Sequence, residues 1–130
     1  MSKTPRVLIV DDSKHEVARF QAMLSEQNIQ YKAVNNGEAG IVTSKTYLPD
    51  IILMDVVMGG MNGFQATRAI TTHETTKHIP VIIVTTKDQT TDRVWAKRQG
   101  ASAYLVKPVD PQELIETIFD LLNSTTLNKL

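Results

Sequence analysis

DIILMDVVMGGMNG, residues 50–63, is the stretch whose reading decides the fold. Four apolar residues, Ile51, Ile52, Leu53 and Met54, lead directly into Asp55, and Gly59, Gly60 and Gly63 follow closely. A continuous apolar run bounded by turn residues fits a strand covered on both faces, as in a parallel sheet. In such sheets functional groups lie where strands leave their carboxyl ends. Asp55 therefore stands where chemistry is expected.

Working outward, the same pattern recurs on both sides. VLIV at residues 7–10 runs into Asp11 and Asp12, VIIV at 81–84 into Thr85 and Thr86, and AYLV at 103–106 into Lys107 and Pro108. IQYKAV at 29–34 mixes polar and apolar residues and reads as an edge strand. Helical patterns separate these runs. Ser13-Lys14-His15-Glu16 has capping-box spacing, with Ser13 as N-cap and Glu16 reaching back, and Val17, Phe20 and Leu24 then share one face. Asn36-Gly37 reads as a turn before a weaker helix through Ala39 and Val42. Residues 64–73 are helical but only modestly amphipathic. Residues 89–99 carry Lys97 and Arg98 in the last turn and Gly100 beyond it. Their only large apolar pair is Val94 and Trp95, so much of this helix is exposed. Asp110-Pro111-Gln112-Glu113 starts a last helix that buries Leu114, Ile118 and Leu121. Residues 1–123 thus form one domain, and 124–130 a loosely ordered tail.

Five strand–helix units without a repeat or linker imply an open α/β sheet with helices on both faces. The first, third and fourth strands are the most apolar and belong in the centre. This gives the flavodoxin-like (βα)5 doubly wound parallel sheet, with strand order 2-1-3-4-5. Asp11, Asp12, Asp55, Thr85 and Lys107 then meet at one crevice.

Composition narrows the function further. The 14 basic and 14 acidic residues of this 130-residue chain cancel, so net charge recruits neither nucleic acid nor an anionic membrane. There is no cysteine, hence no disulfide, thiolate nucleophile or zinc finger. MSKTPR leads into only four apolar residues, which is neither a signal peptide nor a membrane span. A cytoplasmic domain is expected. His15, His73 and His78 lack metal-ligand spacing and read as solvated.

The crevice itself specifies chemistry. Three carboxylates at close range repel by about 4 kcal/mol per pair at an effective dielectric near 20, so the site calls for positive charge. All-oxygen ligands favour a hard cation, and Mg²⁺ suits one or two carboxylates with water and a phosphate oxygen. Such an ion beside a nucleophilic carboxylate, a hydroxyl and an ammonium is the equipment of phosphoryl transfer.

The set Asp11-Asp12, Asp55, Thr85 and Lys107-Pro108, in this order at these strand ends, resembles the receiver domain of bacterial two-component response regulators over nearly the whole chain. The resemblance implies that Asp55 accepts a phosphoryl group from a histidine kinase. It implies that Asp12, Asp55 and the Val57 backbone carbonyl bind Mg²⁺, with Asp11 assisting directly or through water. Thr85 and Lys107 would contact the phosphoryl oxygens, and the Lys107–Pro108 bond would be cis. Tyr104 falls at the family's switch-aromatic position and would move with Thr85. NGFQATR, VIIVTTKDQ, VWAKRQGA and YLVKPVD are similar to stand-alone receivers of the chemosensory systems that control type IV pili and twitching motility. The implied kinase is of the chemotaxis type. Output would pass to a downstream pilus or signalling protein, or consist of holding phosphate.

Some positions depart from the family. Gly59 replaces a usual Pro and makes the loop more flexible. Thr86 is bulkier than the Ala or Gly often found there. Val57 and Lys87 flank the phosphoryl site, and Val57 cannot orient a water. Two other classes compete: an aspartyl-phosphate phosphatase or mutase, which needs a second acid where Val57 stands, and a phosphorylation-independent interaction module. A dinucleotide enzyme lacks its G-x-G-x-x-G.

Overall fold

The computed structural model describes residues 4–128. Ten elements alternate: β1 (Arg6–Val10), α1 (Lys14–Glu26), β2 (Gln30–Val34), α2 (Gly37–Tyr47), β3 (Ile51–Met54), α3 (Gly63–Thr72), β4 (Val81–Thr85), α4 (Thr90–Arg98), β5 (Ala103–Val106) and α5 (Pro111–Asn128). The strands form one parallel sheet in the order β2-β1-β3-β4-β5. The flavodoxin-like order expected from the apolar runs is the one observed.

Side chains on a strand alternate between faces, so a strand buried on both needs apolar residues throughout. β3 meets this requirement, with Ile51, Ile52, Leu53 and Met54 all buried. Val7, Ile9, Ile51, Leu53, Ile82 and Val84 pack against Phe20 and Leu24 of α1 and Leu114 and Ile118 of α5. On the other face Leu8, Val10, Ile52, Met54, Val81 and Ile83 meet Phe64 and Ile70 of α3 and Ala96 of α4. Each such side chain contributes about 1.5–3 kcal/mol by leaving water. The edges differ: β2 exposes its first three residues, as its mixed sequence requires.

Several local expectations need correction. Asn36 and Gly37 do not form a free-standing turn but open α2, where the Ala39 N–H donates to Asn36 Oδ1 at 2.7 Å. An Asx residue serves equally well as turn former and N-cap, and only the following helix distinguishes the two. α3 is more one-sided than its sequence suggests. Gly63, Phe64, Ala66, Thr67 and Ile70 are all buried, the small ones letting the helix sit close to its neighbours. α5 runs from Pro111 to Asn128, with no Gly or Pro after Pro111 to stop it. Residues 1–3 and 129–130 lie outside the described residues, and with them the first residues of the chain and the end of the expected tail.

Candidate functional site

Parallel register carries the ends of β1, β3, β4 and β5 to one edge of the sheet. Val10 pairs with Met54, Met54 with Ile83, and Thr85 with Val106, so the residues that follow each strand meet there. Asp11, Asp12 and Asp55 each offer an oxygen within 4.8 Å of the others. Asp11 and Asp55 are buried, whereas Asp12 is exposed.

One ammonium serves two of these acids. Lys107 Nζ lies 2.7 Å from Asp11 Oδ2 and 3.7 Å from Asp55 Oδ2, and its side chain is nearly buried. Asp11 is occupied on both oxygens, since Oδ1 accepts the Ser13 N–H at 2.9 Å. This revises the capping box. Ser13 Oγ does accept from the Glu16 N–H at 3.3 Å, but the Ser13 N–H goes to Asp11, and Glu16 faces Arg19 instead, at 3.7 Å. The start of α1 is thereby tied to the site. Arg19 in turn donates to the Val109 carbonyl at 3.3 Å, holding the segment that follows Lys107 against α1.

Asp55 is the least neutralised of the buried acids. Its Oδ1 accepts the Val56 N–H at 2.8 Å, and its Oδ2 lies 3.7 Å from Lys107 Nζ. Burial pushes its carboxyl above the usual range. Lys107 pulls it back down, Asp11 pushes it up again, and the backbone N–H groups of Val56 and Val57 lower it. A carboxylate in that balance gains from a cation or from an electrophile that takes up its charge. Its backbone is held equally closely. The Gly63 N–H donates to the Val56 carbonyl at 3.0 Å, and a Cβ on Gly63 would overlap the Asp55 carbonyl. Gly63 is thus required by the close approach of α3 to the acid-bearing loop.

Thr85 is fully buried at the end of β4. Its carbonyl accepts the Lys107 N–H at 2.8 Å, and its Oγ1 accepts the Lys87 N–H at 3.4 Å. Tyr104 is partly exposed, donates its hydroxyl to the Lys87 carbonyl at 2.9 Å and has Arg93 4.8 Å above its ring. The backbone of Lys87 therefore joins Thr85 to Tyr104, a link that sequence reasoning missed by considering only the Lys87 side chain. The Lys107–Pro108 bond is cis. A side chain at Gly59 would meet open space, but its N–H reaches Asp12 Oδ2 at 3.4 Å, and proline has no such donor. Val57 is 56% exposed beside the site. A cleft of about 530 Å³ opens next to Asp11 and Asp12, walled by Lys14, Val17, Val34 and Ala39, and gives a ligand access.

The donor chemistry fits a hard divalent cation. Three carboxylates converge, one of them exposed, and a single lysine leaves negative charge uncompensated. Asp11, Asp12 and Asp55 are the residues able to hold such an ion.

Comparison with known proteins decides the family. Residues 7–119 match the response regulator receiver domain. The chain belongs to that family. Protein PilH of Pseudomonas aeruginosa is 54% identical over 113 residues, covering 87% of this chain and 93% of the relative. Response regulator PleD of Caulobacter vibrioides is 36% identical, but this chain spans only 26% of its length. Among solved structures, the receiver domain of a Pseudomonas aeruginosa sensor histidine kinase superposes with a TM-score of 0.86 at 26% identity, covering 93% and 99% of the two chains. That neighbour holds a magnesium ion in its active-site cleft. A chemotaxis protein from Vibrio cholerae also superposes with a TM-score of 0.86 at 26% identity, covering 92% and 99% of the two chains. This receiver is thus a phosphorelay signalling domain of the response regulator class. No helix among its described residues is long and apolar enough to cross a membrane.

Proposed function

We propose that Asp55 of this receiver is the phosphoacceptor for a chemotaxis-type histidine kinase. The observation that carries the proposal is a buried carboxylate at the end of β3, raised in pKa and less than fully paired, beside one lysine and two further acids. An Asp55 oxygen attacks the phosphorus of a phosphohistidine. A P–O bond forms, the P–N bond breaks, and the leaving imidazole takes a proton from solvent. Lys107 follows the charge as it moves onto the phosphoryl oxygens, loosening its hold on Asp11, and Thr85 offers its hydroxyl. Asp11, Asp12, Asp55 and the Val57 carbonyl would hold Mg²⁺, which would supply charge neutralisation for the incoming phosphate.

The phosphoryl group adds roughly two negative charges. As Thr85 turns toward it, the Lys87 N–H loses its acceptor, and the Lys87 carbonyl shifts the anchor of Tyr104. The surface that changes includes α4, where Val94 and Trp95 are about half exposed around the single buried Ala96. That surface is where a downstream partner docks. The similarity to PilH supports a cytoplasmic, stand-alone receiver acting in type IV pilus twitching motility, by protein binding or as a phosphate sink. In this reading residues 1–123 are the receiver domain and 124–130 its C-terminal tail. Enzymatic action extends only to the receiver's own aspartyl phosphate. The exposed apolar Val57, where a phosphatase or mutase needs an acid, argues against turnover of free substrates.

The test is intact mass after incubation with acetyl phosphate, with and without Mg²⁺, and then with a chemotaxis-type kinase. Mg²⁺-dependent addition of one phosphoryl group, absent in Asp55→Asn, is expected. No addition from either donor to folded, Mg²⁺-binding protein would leave a phosphorylation-independent interaction module.

A further inference from the structure

We propose a second ligand site at the opposite end of the sheet, for an organic di- or triphosphate of the nucleoside polyphosphate class. A cavity of about 530 Å³ lies where β4 and β5 begin. α3 contributes Arg68, the segment before β4 contributes Lys77 and His78, and α4 contributes Arg98 from its last turn. Among the described residues no carboxylate lines it.

The cavity gathers four basic side chains, Arg68, Lys77, His78 and Arg98. Elsewhere Arg19, Arg93 and Lys107 each face an acid, at 3.7, 2.8 and 2.7 Å. Among the described residues, Arg68 and Arg98 have no carboxylate partner, and Lys77 has only Glu74, whose side chain is 87% exposed and free to swing away. Helix polarity accounts for Arg98, but not for Arg68, which lies outside the last turn of α3. The charge is therefore available to a ligand.

The donors identify the ligand's chemistry. Two guanidinium forks and an ammonium match the geometry of several phosphate oxygens better than that of one carboxylate. The hydroxyls of Thr71 and Thr72 are already committed to the carbonyls of Gln99 and Arg68, both at 2.7 Å. Ser102 and Ser124 supply the further hydroxyls on the wall. Pro80 and Leu121 add an apolar flank against which a ring can lie, and the volume is that of a small-molecule site.

The experiment is an amide-resolved NMR titration of the full chain with ATP and with pyrophosphate. Chelator is present throughout, so that no metal-bridged phosphate sits at Asp55, and ionic strength is fixed. Saturable shifts at residues 68–80 and 98–102 are expected with ATP, and Arg68→Ala and Arg98→Ala should each weaken binding about tenfold. Both side chains are exposed, and thermal unfolding of each variant verifies the fold. The site is overturned by no saturable shift at millimolar ATP, by shifts centred on Asp11 and Asp55, or by undiminished binding in both folded variants. It is equally overturned by a response to a duplex oligonucleotide but not to ATP. Pyrophosphate binding as tightly as ATP would overturn the organic part of the assignment.

Discussion

At the carboxyl end of the sheet three carboxylates converge and one ammonium serves two of them, whereas at the amino end of β4 and β5 two arginines, a lysine and a histidine line a cavity with no carboxylate among its described residues. The two clusters share one architecture, since both are built from loops and helix ends around the same strands. Burial sets them apart. Asp11, Asp55 and Lys107 are withdrawn from water and face one another at short range. Arg68, Lys77 and Arg98 are exposed, and water already screens them. The lesson is that 14 positive and 14 negative residues can cancel in sum while being separated in space. A net charge of zero excludes less than composition suggests.

Mutations at either end break or sharpen this contrast. The largest effect is expected from Asp55→Asn, which should abolish mass addition from acetyl phosphate entirely while leaving the ATP-induced shifts at the amino end unchanged. A change at both ends would show the clusters to be coupled. Next comes Lys107→Ala. Removing the only cation beside two buried carboxylates should cost the metal-free protein about 3 kcal/mol in urea unfolding, and millimolar Mg²⁺ should restore a large part of it. Gly63→Ala should follow at about 2 kcal/mol, since the new methyl meets the Asp55 carbonyl and must push α3 away. Its phosphorylation should slow as well, because the same displacement moves the acceptor.

A pH series separates the ends in another way. Burial raises the Asp55 carboxyl above 3.8, so the folded protein keeps a proton that the unfolded chain releases. The associated stability is complete below about 4 and declines as pH rises from there through the raised folded value. Metal-free protein should show that decline in thermal unfolding, and Asp55→Asn should lack it. The smallest effect belongs to the exposed end. Glu74→Gln removes a 3.1 Å surface pair and should change stability by less than about 0.5 kcal/mol, while slightly strengthening ATP binding by freeing Lys77.

The sheet and the acidic site were legible in the sequence because burial on both faces leaves an unbroken apolar run, and each run stops at a residue with a charge or a hydroxyl. Ile51 to Met54 followed by Asp55 contains both signals at once. Helix entries were less legible, because Asn36 and Ser13 have several possible partners and the fold chooses among them. Ser13 gives its N–H to Asp11 rather than to Glu16 because Asp11 is buried and needs a donor. The Lys87 link was invisible for a different reason: it uses backbone atoms, which every residue type carries. The cationic pocket was hidden as well. Arg68, Lys77 and Arg98 are separated by helix and loop, and only the crossover into β4 and β5 gathers them.

The bond from Lys107 Nζ to Asp11 Oδ2 spans 96 positions of the chain. During synthesis, Asp55 and both flanking acids leave the ribosome well before the lysine that neutralises them. Until Lys107 emerges, Asp11 and Asp55 lack the ammonium that pairs with them in the folded chain. Lys107 follows β5, the last strand to be made, so this ion pair closes only once all five strands are present.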